Sequence, residues 1–285
     1  MWPLFLGIHV IGLTGYNLML RKSLVAKVDR WTLATIMQTG VALPLLAFAA
    51  IVRPHLHGYS AALIVQMVVT AGLVIALHTT NVMALQHLEA SVYSILFNLR
   101  ILFTTVFGIL FLNETVIPLQ ILGGVCIFMA VFALRKHDRK HLTIIGIQWG
   151  LIAALTISVL NLSEKSLLNH VSYLSYAVPT LLLSSLVMWA VLLIRGTRLP
   201  KSYLFKRSTI ALMSLRALSA HGALLALTFG ATLSIYTYVS SLSVVLTVIF
   251  GILLLGEKQQ LKQKIVATVV AFTGLTIILV ANLSK

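Results

Sequence analysis

Apolar residues run along this chain in blocks of about twenty, and polar residues gather between the blocks. The blocks lie at roughly 2–20, 31–52, 61–82, 90–112, 116–134, 143–162, 173–194, 209–228, 232–255 and 265–282, and they nearly exhaust the 285 residues. A helix needs about 20 mostly apolar residues to cross the ~30 Å hydrocarbon core of a bilayer. The pattern therefore predicts ten transmembrane helices. Strands of an outer-membrane barrel would alternate apolar and polar positions over about ten residues. Stretches such as Ile144–Leu160 and Val244–Leu255 are apolar at consecutive positions instead, which favours helices. The connectors are too short to hold a soluble domain. The first block lacks a basic leader and a small-residue cleavage site, so it reads as a retained span.

Composition agrees with this reading. Apolar residues make up 59% of the chain and charged residues 9%, with a mean hydropathy of +1.02. Soluble domains carry about 25% charged residues because their surfaces must be wetted. A water-soluble enzyme is excluded. The net charge of +15 would point to nucleic acid in a soluble protein, but here the basic residues sit in connectors, where they orient spans and meet anionic lipid. The single cysteine, Cys126, falls inside a predicted span, so neither a disulfide nor a cysteine metal site is expected. HExxH, GxSxG, P-loop and CxxC patterns are absent from the sequence. No enzymatic activity, no cofactor and no metal site is expected.

Shifted by 143 residues, the sequence overlays itself. Leu88–Thr115 lies on Ala231–Lys258 without a gap and with ten identities in twenty-eight positions, among them Tyr93 with Tyr236, Gly108 with Gly251 and Glu114 with Glu257. Lys22-Ser23-Leu24 meets Lys165-Ser166-Leu167, and His78 meets His221. Two units follow: residues 1–137, a basic connector at 138–142, and residues 143–285. Each unit has five predicted spans, an odd number, so the second would enter the membrane upside down relative to the first. The expected fold is all-α and integral to the membrane, ten helices arranged as two inverted five-helix repeats. Inverted repeats place a substrate near the midplane between halves that exchange inward- and outward-open states.

Three features resemble the ten-helix EamA-type carriers of the drug/metabolite transporter superfamily. The run Gly108-Ile-Leu-Phe-Leu-Asn-Glu114 and its repeat Gly251-Ile-Leu-Leu-Leu-Gly-Glu257 are similar to that family's apolar helix closing on "LGE". Gly15-Tyr-Asn17 with Lys22 resembles its "WGxN…K" pattern. The pairs Ala84-Leu85 and Ala226-Leu227 resemble the end of the third helix in each of its units. Thr14 stands where the family usually has Trp, and Ile101 and Val244 stand where it usually has Pro. The resemblance implies a carrier with both termini in the cytoplasm.

Charge predicts the opposite orientation. Alternate connectors hold sixteen Lys and Arg on one side, from Arg21 to Lys264, against Arg53, Lys165 and Lys285 on the other. The positive-inside rule puts the basic side in the cytoplasm and both termini outside, in a plasma (inner) membrane.

Charges within spans are costly and so mark function. Arg100 falls at the centre of the fourth span and Arg216 within about a turn of the centre of the eighth. Unpaired guanidiniums there would suit a carboxylate or phosphate. His78 and His221 are expected to occupy equivalent environments through the repeat, and to bind substrate or bond between helices. Asn17, Asn98, Tyr93 and Tyr236 complete the candidate substrate-binding set. Glu89 and His9 are candidates for proton coupling. Gly108, Gly251, Glu114 and Glu257 read as a structural repeat motif. No acid is expected at mid-membrane, which weighs against an exporter of cationic drugs.

The expected function is secondary transport of amino acids or related anionic or zwitterionic solutes. Export of lipophilic cations is one alternative, and a non-transporting or lipid-active membrane protein another. The expected partners are a small-molecule substrate and the lipid bilayer, with no nucleic acid, in a monomer or homodimer.

Overall fold

The computed structural model describes all residues except 26–28, 53–58, 113–117, 120–121, 124, 127–128, 130–142, 198–204, 232, 257–260 and 284–285. The described residues are helical, with no strand among them. The helices are α1 (Trp2–Val25), α2 (Arg30–Val52), α3 (Ala61–His87), α4 (Ala90–Phe97), α5 (Arg100–Leu112), α6 (Ile144–Leu168), α7 (Tyr173–Ile194), α8 (Arg207–Thr228), α9 (Leu233–Leu255) and α10 (Leu261–Leu283). Among the described residues α1, α2, α3, α6, α7 and α8 contain runs long and apolar enough to cross a membrane. Most of the fifth expected span, the basic connector, Glu114 and Glu257 lie outside the described residues. Gly108 and Gly251 fall within α5 and α9.

Short polar side chains start the helices. The Asp29 carboxylate accepts from the Thr32 amide at 2.8 Å ahead of α2. Ser60, Thr143 and Ser172 accept from Leu63, Gly146 and Ser175 ahead of α3, α6 and α7, satisfying amides that have no partner within the helix. α9 stops at Leu255 because Gly256 turns to φ +68°, a left-handed value that a Cβ disfavours.

α4 and α5 continue one another across a break. The amides of Asn98, Leu99 and Ile101 bond to Ile95, Leu96 and Asn98, three residues back rather than four. That tightened turn makes Arg100 the first residue of α5. Helix limits recur at the 143-residue shift: Ala90–Leu112, spanning both α4 and α5, maps onto Leu233–Leu255, and the start of α2 maps onto the start of α7. α9 runs unbroken where α4 and α5 part.

Packing crosses between the halves. α1 packs on α8 and α9, while α6 packs on α3 and on α4 and α5. α2 packs on α7 and α8, and α3 on α7. Leu4, Ile11, Phe48, Val65, Leu186 and Leu254 point outward, whereas His9, Asn17, Gln38, His78 and Arg100 are buried. Apolar outside and polar inside is the arrangement that lipid imposes.

The tightest crossing is α1 on α8. A Cβ added at Gly12 would lie 2.6 Å from the Ser219 amide nitrogen and 2.9 Å from the Leu215 carbonyl oxygen, and one at Gly222 would lie 2.8 Å from the Phe5 oxygen. Backbone cannot yield as a side chain can. Gly12→Ala is expected to force the helices apart at a cost of about 1–3 kcal/mol, lowering the thermal midpoint of the purified protein. Gly7→Ala, with nothing within 4 Å of its new Cβ, should not lower it.

Candidate substrate-binding cavity

Where the two halves meet, side chains from α1, α2, α3, α4, α5, α6, α7, α8 and α9 enclose a cavity of about 70 Å³. A single water needs roughly 10–15 Å³ on this measure, so the space holds several waters or a small solute. Its walls mix apolar Leu13, Val74, Leu77 and Leu160 with an unusual density of polar groups.

Two guanidiniums face it. Arg100 opens α5 after the tightened turn, and its Cζ lies 5.0 Å from the centre of the Phe97 ring. The Ser158 hydroxyl donates to its main-chain oxygen at 2.9 Å, pinning the turn to α6. The Arg216 Cζ lies 5.3 Å from the centre of the Tyr16 ring. Aromatic faces hold these cations and leave the guanidinium edges for other partners. Nε of both arginines is buried without a hydrogen bond. Among the described residues, the ion pair present joins other groups.

The imidazoles differ. His221 is saturated: its Nε2 meets the Val41 carbonyl at 2.9 Å and its Nδ1 meets the Tyr173 hydroxyl at 2.7 Å. A carbonyl only accepts, so Nε2 carries the proton and the tyrosine donates to Nδ1. His221 thereby ties α8 to α2 and α7. His78, its counterpart at the 143-residue shift, lines the cavity with both ring nitrogens unbonded. The equivalence expected of this pair does not hold, because only His221 has a tyrosine and a carbonyl within reach. His9 Nδ1 donates to the Ser219 carbonyl at 2.7 Å, leaving Nε2 buried and unbonded on the cavity side.

Of the remaining residues singled out from the sequence, Asn17, Tyr93 and Tyr236 line the cavity. The Tyr93 hydroxyl donates to the Asn81 side-chain oxygen. Asn98 is buried at the turn before Arg100 and does not line the cavity, and its amide group has no hydrogen bond. Glu89 is also elsewhere. It sits at the start of α4, and its carboxylate pairs at 2.5 Å with Lys264 of α10, whose side chain is 1% exposed against 18% for the glutamate. That placement corrects Lys264 as well, which the sequence put among the solvated connector residues.

One residue that the sequence reading passed over changes the electrostatics. Glu164 lines the cavity, its Oε1 accepting the Tyr176 hydroxyl at 2.8 Å. The sixth span was expected to close near residue 162, leaving Glu164 in a connector, but α6 runs on to Leu168. Glu164 thus belongs to the last turn and a half of that helix and not to a connector, about 12 Å from the helix centre at 1.5 Å per residue. The signal was present in the spacing, since Ile157, Asn161 and Glu164 recur at helical intervals on one face and all three line the cavity. Gln38, Asn81 and Asn161, outside the expected substrate-binding set, also line it.

Helices without strands among the described residues, several of them apolar and of membrane length, around a polar interior cavity mark a multi-pass membrane protein. Residues 1–135 match the model of the EamA-like transporter family, within the drug/metabolite transporter superfamily. The resemblance read from the sequence therefore stands over those residues, and that family is one of membrane transporters. One crystal structure covers 98% of this chain and 99% of its own at a TM-score of 0.68, with 12% identity. At that identity the likeness is one of fold. No curated protein matches the chain.

Proposed function

We propose that this protein is a secondary carrier of small anionic or zwitterionic metabolites, working by alternating access between two inverted halves. The observation that carries the reading is the pair of arginines on one cavity, Arg100 buried and Arg216 half-buried, each set against an aromatic ring and neither ion-paired within the described residues. A guanidinium held away from water inside a membrane protein is costly unless an anion completes it. Lipophilic cations fit this cavity poorly, since two guanidiniums line it against a single acid.

Two features support the inverted repeat. Exchanging the halves by the 143-residue shift turns α1 on α8 into α6 on α3, and α1 on α9 into α6 on α4 and α5, and all of these contacts occur. Gln38 Nε2 donates to the oxygen of Leu181 at 3.3 Å, and those two residues are 143 apart. A residue reaches its own counterpart only beside a twofold axis. Under an axis in the membrane plane, the cavity sits at mid-depth and the halves can rock about it. The charge asymmetry of the connectors favours a cytoplasmic face bearing the basic loops.

Flux into proteoliposomes tests the function. Labelled glutamate, alanine, phosphoethanolamine and succinate are offered, with tetraphenylphosphonium as the cation. Saturable uptake of at least one anionic or zwitterionic member is expected. Uptake of the cation alone would overturn the proposed substrate class, and uptake of nothing would overturn transport of this class of solute.

A further inference from the structure

Glu164 has no task in a site that recognises only an anion. A carboxylate on the same wall weakens the field of two guanidiniums, and burying it costs free energy. It is nonetheless held in place: Tyr176 donates to one oxygen, while Tyr173 from the same turn of α7 is anchored to His221. Among the described residues it makes no ion pair. The carboxyl group thus faces the cavity with room for a partner that the protein does not supply.

Its depth differs from that of Arg100. Ser158 touches the Arg100 backbone, and Glu164 lies six residues further along α6, about 9 Å at 1.5 Å per residue. Arg100 and Glu164 therefore face the cavity at separate levels. The charge count sharpens this. Two guanidiniums and one carboxyl group line the space, and with an ammonium holding Glu164 as a carboxylate the three protein groups carry one positive charge in excess. A net charge buried in a membrane protein is unfavourable, so the solute that best fills the site carries one negative charge in excess.

Building on the reading above, we infer that Glu164 is a specificity-determining residue that selects solutes bearing one ammonium group together with two negative charges. Two carboxylates or one phosphate dianion supply the same charge. In such a complex the ammonium donates to Glu164 and the negative groups take the guanidinium edges of Arg100 and Arg216. A simple dicarboxylate leaves Glu164 unpaired beside like charge, and a neutral zwitterion leaves one guanidinium uncompensated. Each is disfavoured by the cost of a buried group left without its partner.

Competition against labelled substrate in proteoliposomes tests this. Wild-type protein is expected to favour glutamate or phosphoethanolamine over succinate and over alanine by about tenfold or more. Whichever of the two favoured probes competes better tells carboxylate from phosphate. In Glu164→Gln the preference over succinate should collapse by a similar factor, because the amide no longer offers a charge to the ammonium. Tyr176→Phe, which keeps the charge but frees the carboxylate, should reduce the preference partly and serves if Glu164→Gln does not fold. Equal competition by succinate in wild type overturns the inference while leaving anion transport standing, and so does preference for alanine. An unchanged preference in Glu164→Gln, or equal loss of all substrates in both variants, also overturns it and points to a proton-carrying or structural glutamate. Failure of the wild type to move any of the four overturns the carrier reading itself and this inference with it.

Discussion

Arg100→Ala is expected to reduce transport of the preferred solute by two orders of magnitude or more without lowering the thermal midpoint. Removing one member of a buried charge-assisted pair costs about 2–5 kcal/mol of binding, on the order of 10² to 10³ in affinity. The loss arises because the anion is then buried without its counter-charge. Stability behaves differently. Arg100 is 2% exposed and its Nε has no hydrogen bond, so within the protein it contributes little beyond its contact with Phe97 and carries a desolvation cost. Groups retained for function commonly lower stability. Arg100→Lys keeps the charge but loses the planar fork, and should fall between wild type and alanine. Concentration-dependent uptake and thermal unfolding, measured on the same preparations, check both halves of the expectation. A midpoint that drops along with transport would make Arg100 a structural residue.

Glu89→Ala is expected to destabilise the protein by about 3 kcal/mol, the lower end of the 3–5 kcal/mol that loss of one partner of a buried ion pair costs. The lower end applies because Glu89 keeps some contact with solvent while the Lys264 side chain is 1% exposed. Without the carboxylate, the Lys264 ammonium remains buried between α4 and α10. Replacing both members should be far milder, since the desolvation of both charges disappears together. Glu89→Gln with Lys264→Met should therefore recover most of the thermal midpoint, and the cycle of single and double variants gives the coupling directly. The pair joins α4 of the first half to α10 of the second, one short helix before the turn that presents Arg100. Glu89→Ala is thus expected to weaken transport as well, by loosening that presentation. If the single variants cost no more than the double, the pair contributes nothing to stability.

Much of this architecture was legible in the residues. The apolar blocks marked out helices because a bilayer rewards long apolar runs wherever they occur in a chain. The limits of α2, α7 and α9 lie within a residue or two of those blocks. Arg100, Arg216 and Tyr93 were identifiable because charge and aromatic hydroxyl groups within such runs are expensive and therefore conspicuous. Glu164 was not, since hydropathy ends a span at the first cluster of polar residues, whereas α6 continues through Glu164 and Lys165 by packing on α3. Glu89 drew notice as an acid beside a span, but its partner lies 175 residues away on α10, and no local pattern records a contact of that range.

Periodicity and composition were sufficient to establish a helical membrane protein, since solvent imposes those properties on each segment separately. The roles of individual polar residues were a different matter. His78 and His221 occupy matching places in the repeat, yet one is saturated and the other bare, because Tyr173 and the Val41 carbonyl approach only the second. Which nitrogen, carboxylate or guanidinium stays open to a solute depends on groups brought in from distant helices. That information exists only once the bundle has packed.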